Sequence, residues 1–415
     1  MLARLLEEAL RTAVSDTPAV FVAGARQTGK STLVQAFSHR HAGWAYRTFD
    51  DLGTLASTRA DPQGFVESLG ERAILDEVQR VPEVFLPLKR AIDEDRRPGR
   101  FILTGSANVL SLPRIAESLA GRMEILTLWP LAQCEVEGTK SDFVDACFAG
   151  RPDRLHPAAT DRASLVGRML RGGYPEAAGR AREGARRRWF DGYLSTLLQR
   201  DLRDLAAIEQ LAEIPRVLEL VAARTGSLLN VADLGRALGI NHMTLKRHLA
   251  LLETLYLLVR LRPWFDNVGK RLTKTPKIYL NDSGLLAHLL GLEASGLATR
   301  PADQGPLLET FVVTELHKLA PLSSVRPRLF HFHTASGQEV DLVMESRRRQ
   351  IVGVEVKAAA TIATADFKGL RALAEVAGNR FECGAVIHAG RAVLPFGPKM
   401  WAVPMEVLWS GLKGS

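Results

Sequence analysis

Over the first third of the chain, apolar residues come in short unbroken runs: AVFVA at Ala19–Ala23, YRTFD at Tyr46–Asp50, RAILD at Arg72–Asp76 and RFILTG at Arg100–Gly105. Runs that are apolar on both faces predict strands of a parallel sheet covered by helices on each side. Between Trp189 and Leu261 the apolar period changes to 3.6, as in FDGYLSTLLQRDLRDLAAI, which predicts helices. The stretch from Cys134 to Gly173 is mixed and rich in Gly, Pro and Asp, and reads as a connecting or lid region. Pro263 to Asp282 reads as strands around a basic loop, and from Gly305 onward helix and strand patterns mix again. The first residues, MLARLLEEALRTAVSD, place Glu7 and Glu8 among leucines, the pattern of an amphipathic helix rather than a signal peptide.

The first run leads directly into Gly24, Ala25, Arg26, Gln27, Thr28, Gly29, Lys30, Ser31 and Thr32. A strand, a glycine turn and a helix opening on Lys-Ser form the pattern G-x-x-x-x-G-K-[ST] in its proper context. The glycines let backbone N–H groups point at phosphate oxygens. Lys30 supplies a point charge, Ser31 a hydroxyl for Mg²⁺, and the helix its positive end. Bound nucleotide calls for an acidic partner at another strand end. Asp76 fits the Mg²⁺ shell there, and Glu77 is placed to polarise an attacking water. A third run ends in Thr104 and Ser106, either of which suits a sensor of the terminal phosphate. No guanine-reading N-K-x-D motif follows, so ATP is the expected nucleotide, with Mg²⁺.

Composition changes this picture little. The 415 residues include 54 Lys and Arg against 46 Asp and Glu, a net charge of +8 that permits a polyanionic partner without requiring one. Cys134, Cys147 and Cys383 match no metal or redox spacing and read as reduced thiols. No apolar stretch reaches the roughly 18 residues of a membrane span, so a soluble, cytoplasmic protein is expected.

The motifs GARQTGKST, AILDEVQRVPEVF, FILTGSAN and SLAGRMEILTLWPLA resemble those of the AAA-type ATP-binding proteins of bacteria and archaea that carry a long C-terminal region of unknown function. RGGYPEA, YLSTLLQRDLRDL, KIYLNDSGLLAHLLG and LLETFVVTEL extend the resemblance over nearly the whole chain. It implies an AAA-type P-loop sheet in the first domain, residues 1–133, while the residue patterns give a lid or linker in 134–188, a helical and winged-helix domain in 189–300, and a nuclease-like α/β domain in 301–415. It also makes Arg122 a candidate for sensing or completing a nucleotide site, and an ordinary helix-end arginine is the competing reading. Such proteins often form homo-oligomers, though nothing in these residues counts subunits.

In the middle block, Asn230 to Ile240 predicts a short helix ending at Gly239, and MTLKRHLALLETLYLL a second one. Leu234, Leu238, Leu245, Leu249 and Leu252 supply their core, and the following basic stretch is a candidate wing. Asn241, His242, Thr244, Lys246, Arg247 and His248 stand near the start of the second helix, where DNA contacts arise in helix-turn-helix proteins. Arg260, Arg262, Lys270, Arg271, Lys274 and Lys277 add charge along the wing. Winged helices also bind proteins, so DNA and a protein partner both stay open.

In the last block, VDLVME alternates Val340, Leu342 and Met344 against Asp341, and IVGVEVK alternates Val352, Val354 and Val356 inward against Glu355 and Lys357 outward. A preceding helix carries Glu309 and Glu315. Helix carboxylate, strand Asp, then Glu-x-Lys resembles the PD-(D/E)XK nucleases, and Gly305 to Glu309 matches a spacing found there. The resemblance implies Mg²⁺ held by Asp341 and Glu355, charge stabilisation by Lys357, and a helix Glu completing the site. An active nuclease and a degenerate binding domain both remain open.

Overall fold

The computed structural model describes residues 2–106, 121–157, 160–197, 213–299 and 301–411. The chain divides into two compact units. One is Ala3–Pro130 together with Glu253–Leu257. The other is built from Leu131–Leu252 and Leu258–Ser415.

The first unit holds a five-stranded sheet of β1 (Ala19–Ala23), β2 (Ala45–Thr48), β3 (Ala73–Asp76), β4 (Phe101–Gly105) and β5 (Met123–Thr127). Its order is β2-β3-β4-β1-β5, and every pairing is parallel. The unbroken apolar runs are explained by burial: every residue of β1 and β4 is buried. The helix Leu6–Asp16 buries Leu6, Leu10 and Ala13 and turns its acidic residues outward, as its amphipathic pattern predicts. The helix Phe85–Glu94 buries Phe85, Leu88 and Ile92. Tyr256, from the short segment that joins this unit from far along the chain, packs edge-on to Trp129 with ring centres 5.7 Å apart.

The second unit contains a mixed six-stranded sheet of β8 (Arg328–His333), β9 (Glu339–Glu345), β10 (Ile351–Lys357), β11 (Phe381–His388), β12 (Leu394–Pro395) and β13 (Met400–Pro404). Its order is β12-β13-β11-β10-β9-β8. Leu370 and Leu373 of the helix Lys368–Ala377 pack with Val340, Val343, Ile351 and Phe381 into one core. Val340 and Val343 reach the same core because the β8–β9 pairing shifts register between Phe330 and Phe332. The simple alternation expected for VDLVME is thereby interrupted. Both faces of β10 are covered. Glu355 is therefore not turned outward but is only 9% exposed.

The same unit holds a helix pair and a strand pair. Helix Val231–Leu238 is capped by the Asn230 side chain and ends at Gly239 in the left-handed conformation. Helix His242–Thr254 follows, then β6 (Leu258–Leu261) and antiparallel β7 (Lys277–Leu280). Between the two strands lies a short helix, Val268–Thr273, where only a basic loop was expected.

The Gly- and Pro-rich stretch expected to be a lid or linker over 134–188 is instead folded into this unit. Helices Gln133–Glu137, Phe143–Phe148, Arg162–Arg171, Pro175–Ala178 and Glu183–Thr196 bury Cys134, Phe143, Cys147, Leu165 and Phe190. Fully buried Asp282 accepts hydrogen bonds from the Gly173 N–H (2.6 Å) and the Leu285 N–H (2.9 Å), tying the stretch to the helix Ser283–Leu289. Cys147 lies against Cys383 of β11, and burial pushes its thiol well above the ordinary range. Among the described residues no helix is long and apolar enough to cross a membrane.

A buried ion pair anchors the β6–β7 connection. Arg271 donates to both carboxylate oxygens of Glu345, at 2.6 and 3.0 Å, and the two side chains are 4% and 1% exposed. Arg328 also donates to Glu345, at 2.9 Å, so removing Arg271 leaves that carboxylate with one cation instead of two. Arg271→Ala is expected to cost about 1–3 kcal/mol of stability, seen as a lower urea midpoint for this unit. An unchanged midpoint would contradict the pairing.

Candidate functional site

The end of β1 turns sharply at Gly24, whose φ is 149°. A Cβ at Gly24 would lie 2.2 Å from the Leu128 carbonyl oxygen, so no larger residue fits the turn. The loop closes at Gly29, left-handed at φ 93°, and the helix Lys30–Arg40 begins there. Lys30 is buried and its ammonium donates to the carbonyls of Gly24 (3.0 Å) and Ala25 (2.9 Å). Those carbonyl oxygens satisfy the charge where phosphate oxygens would otherwise do so. Thr28 braces the loop by donating to the Ala25 carbonyl at 2.9 Å. Arg4, which sequence reasoning passed over, donates to the carbonyls of Thr28 (2.7 Å) and Trp129 (2.8 Å). Arg26 is half-buried, while Gln27 and Thr32 are exposed.

The tip of β3 completes the site. Asp76 is 3% exposed and accepts hydrogen bonds from Ser31 (3.0 Å), from Thr104 and from Tyr46 (2.8 Å). Thr104 also accepts from the Glu77 N–H at 3.0 Å. Glu77 takes the left-handed conformation, φ 61°, unusual for a non-glycine residue and a mark of local strain. Its carboxylate accepts from Gln79, whose amide also donates to Ser106 at 3.1 Å. Thus Lys30, Ser31, Asp76, Glu77, Thr104 and Ser106 converge at the ends of β1, β3 and β4. Tyr46 and Gln79 join them without having been foreseen. Burial, then the Asp76 charge, raises the Tyr46 phenol well above its ordinary range, so it stays a donor.

Arg122 does not join this group. It precedes β5, which runs parallel to β1. It therefore stands at the opposite edge of the sheet from the loop, roughly five strand residues or 16 Å away. Its guanidinium is bound in two places to Asp93, at 2.7 and 2.9 Å. Arg122 is not part of this cluster.

In the second unit a cluster of charged side chains gathers around β9 and β10. Asp341 accepts from the Val356 N–H at 2.9 Å, and Lys357 donates to Glu355 at 2.8 Å. Glu309, on the helix Pro301–Leu319, accepts from Tyr279 at 2.6 Å. Glu309, Asp341, Glu355 and Lys357 do come together. Glu315 does not: it faces elsewhere, bound to Lys318 and to the Gln133 N–H, each at 2.7 Å. Six residues along a helix turn the side chain well away from that of Glu309. Into the cluster reaches Lys277 of β7, 2% exposed, expected on the wing surface but found beside Glu309 (3.0 Å), Asp341 (3.2 Å) and Glu339. Among the described residues no group of three or more His, Cys, Asp and Glu side chains is placed to hold a metal ion.

Burial, then the Asp341 charge, pushes the Glu309 carboxyl up to about 7 and that of Glu355 up to about 8, against the pull of the lysines. Burial works against the Lys277 charge, but Asp341, Glu309 and Glu339 outweigh it and hold the ammonium above its ordinary range.

The helix pair offers Asn241, His242, Lys246 and Arg247 to solvent, with Thr244 half-buried, and Lys270 is exposed beyond β6. Two further expectations fail here. Arg271 is consumed by its buried pair with Glu345, and His248 is fully buried.

Residues 16–137 match the model of an AAA domain, 162–296 a domain of unknown function (DUF8612), and 304–408 a domain of unknown function (DUF4143). "Uncharacterized protein Rv2008c" of Mycobacterium tuberculosis and "Uncharacterized protein Mb2031c" of Mycobacterium bovis are each 32% identical over 400 residues, covering 96% of this chain and 82% of theirs. The chain belongs to their family, with an AAA domain and a C-terminal DUF4143 domain. For an AAA-domain protein the parallel five-stranded sheet is the expected scaffold. A STAND signal-transduction ATPase with a tetratricopeptide repeat sensor from Pyrococcus horikoshii aligns at 12% identity and a TM-score of 0.21, covering 79% of this chain and 47% of that one. The chain thus spans under half of that protein, a likeness too weak to carry any argument.

Both raised carboxyls bind protons more tightly in the folded chain than in the unfolded chain, where about 4.5 is ordinary. Their contribution to stability is full below that value and is lost as pH rises through about 7 and then about 8. Glu355→Gln removes one of the two. Denaturation of this unit from pH 5 to 8 should show the wild type losing about 4 kcal/mol more than the variant, since each pH unit between the unfolded and folded values of Glu355 is worth about 1.4 kcal/mol. Parallel curves would contradict the protonation of Glu355.

Proposed function

We propose that the protein is an ATP hydrolase that works as a nucleotide-controlled switch, with Mg²⁺ as its metal. The observation that carries this reading is the joining of loop and acid: Lys30 folded over the loop carbonyls, and Ser31 bonded to Asp76. The site residues fit both groups. Backbone N–H groups from Gly24 to Thr32 and the Lys30 ammonium would hold the phosphates. Ser31 and Asp76 would hold Mg²⁺, which needs only one or two protein oxygens beside phosphate and water. Bound there, the metal would supply charge neutralisation on the phosphates.

Glu77 is the residue to accept a proton from the attacking water. Thr104 fixes the backbone at Glu77, and Gln79 holds the Glu77 carboxylate next to Ser106, so those side chains must rearrange together when phosphate arrives. The segment Glu253–Leu257 belongs to the ATPase unit and continues directly from the helix His242–Thr254. A nucleotide-driven change can therefore pass along the chain to the helix pair.

The helix pair followed by β6 and β7 has the order of elements of a winged helix. Exposed Lys246, Arg247 and Lys270, with Thr244 beside them, support DNA as the partner. The convergence of Glu309, Asp341, Glu355 and Lys357 favours a second reading of the last domain as nuclease-like in fold.

Lys30→Ala should abolish nucleotide binding in titration calorimetry. Glu77→Gln should keep binding and lose turnover by roughly 10²–10⁴-fold; full turnover by that variant would remove Glu77 from the reaction. Duplex DNA at low salt should raise the ATPase rate, and Lys246→Ala with Arg247→Ala should blunt the effect. An ATPase indifferent to DNA, with no salt-sensitive DNA binding, would point to a protein partner instead.

A further inference from the structure

We infer that Lys277 is a built-in cation: its ammonium occupies the place a divalent metal would take among Glu309, Asp341 and Glu339, and keeps this carboxylate cluster closed to metal. The inference rests on the cluster alone and is independent of the ATPase reading.

An ammonium has three N–H donors and no acceptor. Lys277 has three carboxylate neighbours, drawn from the helix Pro301–Leu319 and from β9. Its side chain is 3% exposed, so water cannot take their place. The stem leaves β7 where the backbone is pinned on both sides, paired at Leu261 of β6 and bridged to Leu228. The position of the charge is thus set by the strand rather than by a flexible loop.

A divalent ion bridging Asp341 and Glu309 would need their oxygens at about 2.0–2.6 Å. It would then meet the buried Lys277 ammonium at close range, where like charges repel. Metal and lysine therefore exclude one another. Four carboxylates face Lys277 and Lys357, two of them with raised proton affinity, and the buried Oε2 of Glu355 has no hydrogen-bond partner. Without the lysine, Asp341 and Glu339 would be left as anions with no cation between them and would draw in a metal ion. With the lysine present, the cluster instead locks β7, and with it the strand pair beside the helix pair, onto the C-terminal sheet.

The test uses the full chain without nucleotide and Mn²⁺ as the probe, followed by electron paramagnetic resonance of the free ion. Wild-type protein should show no Mn²⁺ binding that Asp341→Asn abolishes. Lys277→Met should gain one Mn²⁺ per chain, at least ten-fold tighter than any wild-type site, and Asp341→Asn in that background should remove it. The Lys277→Met protein should also melt at a higher temperature with Mn²⁺ than without, a shift the wild type lacks. Lys277→Gln, shorter but polar and uncharged, serves if the Met variant does not fold. A wild-type Mn²⁺ site lost on Asp341→Asn, or folded Lys277 variants that gain none, would overturn the inference.

Discussion

One carboxylate organises the first unit. Asp76 draws in Ser31 from the start of the loop helix, Thr104 from β4 and Tyr46 from β2. Buried anions of this kind persist only where donors converge on them. The parallel order of the sheet makes that convergence possible, because the C-terminal ends of its strands, where β1, β3 and β4 deliver these groups, share one edge. Gln35, on the same helix as Lys30, donates to the Tyr46 hydroxyl at 2.9 Å and extends the network to the outer strand. A change at Ser31 is therefore felt at β2 and, through Thr104, at the backbone of Glu77.

The second unit applies the same physics with the opposite sign. There a cation, Lys277, gathers carboxylates, whereas Asp76 gathers neutral donors. Nearby, Arg271 does the same for Glu345, and Lys318 for Glu315. Three buried pairs so close in sequence to β6, β7 and the helix Pro301–Leu319 mean that this region gains its specificity from charge matching as well as from apolar packing. That matching explains why Arg271, Lys277 and Lys318 are turned inward instead of offered to a partner.

Much of the candidate site was legible because its chemistry is local. A glycine turn, a lysine and a serine follow one another, and Asp76 ends a strand whose apolar run marks it plainly. Tyr46 and Gln79 were not legible, since nothing in YRTFD or EVQR says which way a polar side chain points once strands pair. The position of Arg122 was not legible either: the strand direction that puts it at the far end of the sheet from the loop emerges only from pairing with β1. In the last domain the spacing of Glu309, Asp341, Glu355 and Lys357 was readable. Lys277, 32 residues before Glu309 in the chain, was not, because a basic residue in a basic stretch reads as surface until the fold buries it. The folding of 134–188 was hidden by its glycines and prolines, whose turns connect short helices that bury Phe143 and Cys147.

The joining of loop and acid is tested most directly by a crystal structure with Mg²⁺ and a non-hydrolysable ATP analogue. The expected result is that the Lys30 ammonium has left the carbonyls of Gly24 and Ala25 for phosphate oxygens, with Ser31 and Asp76 around the metal. Crystals grown in saturating analogue that show Lys30 still on those carbonyls, and no nucleotide between the loop and β3, would contradict it.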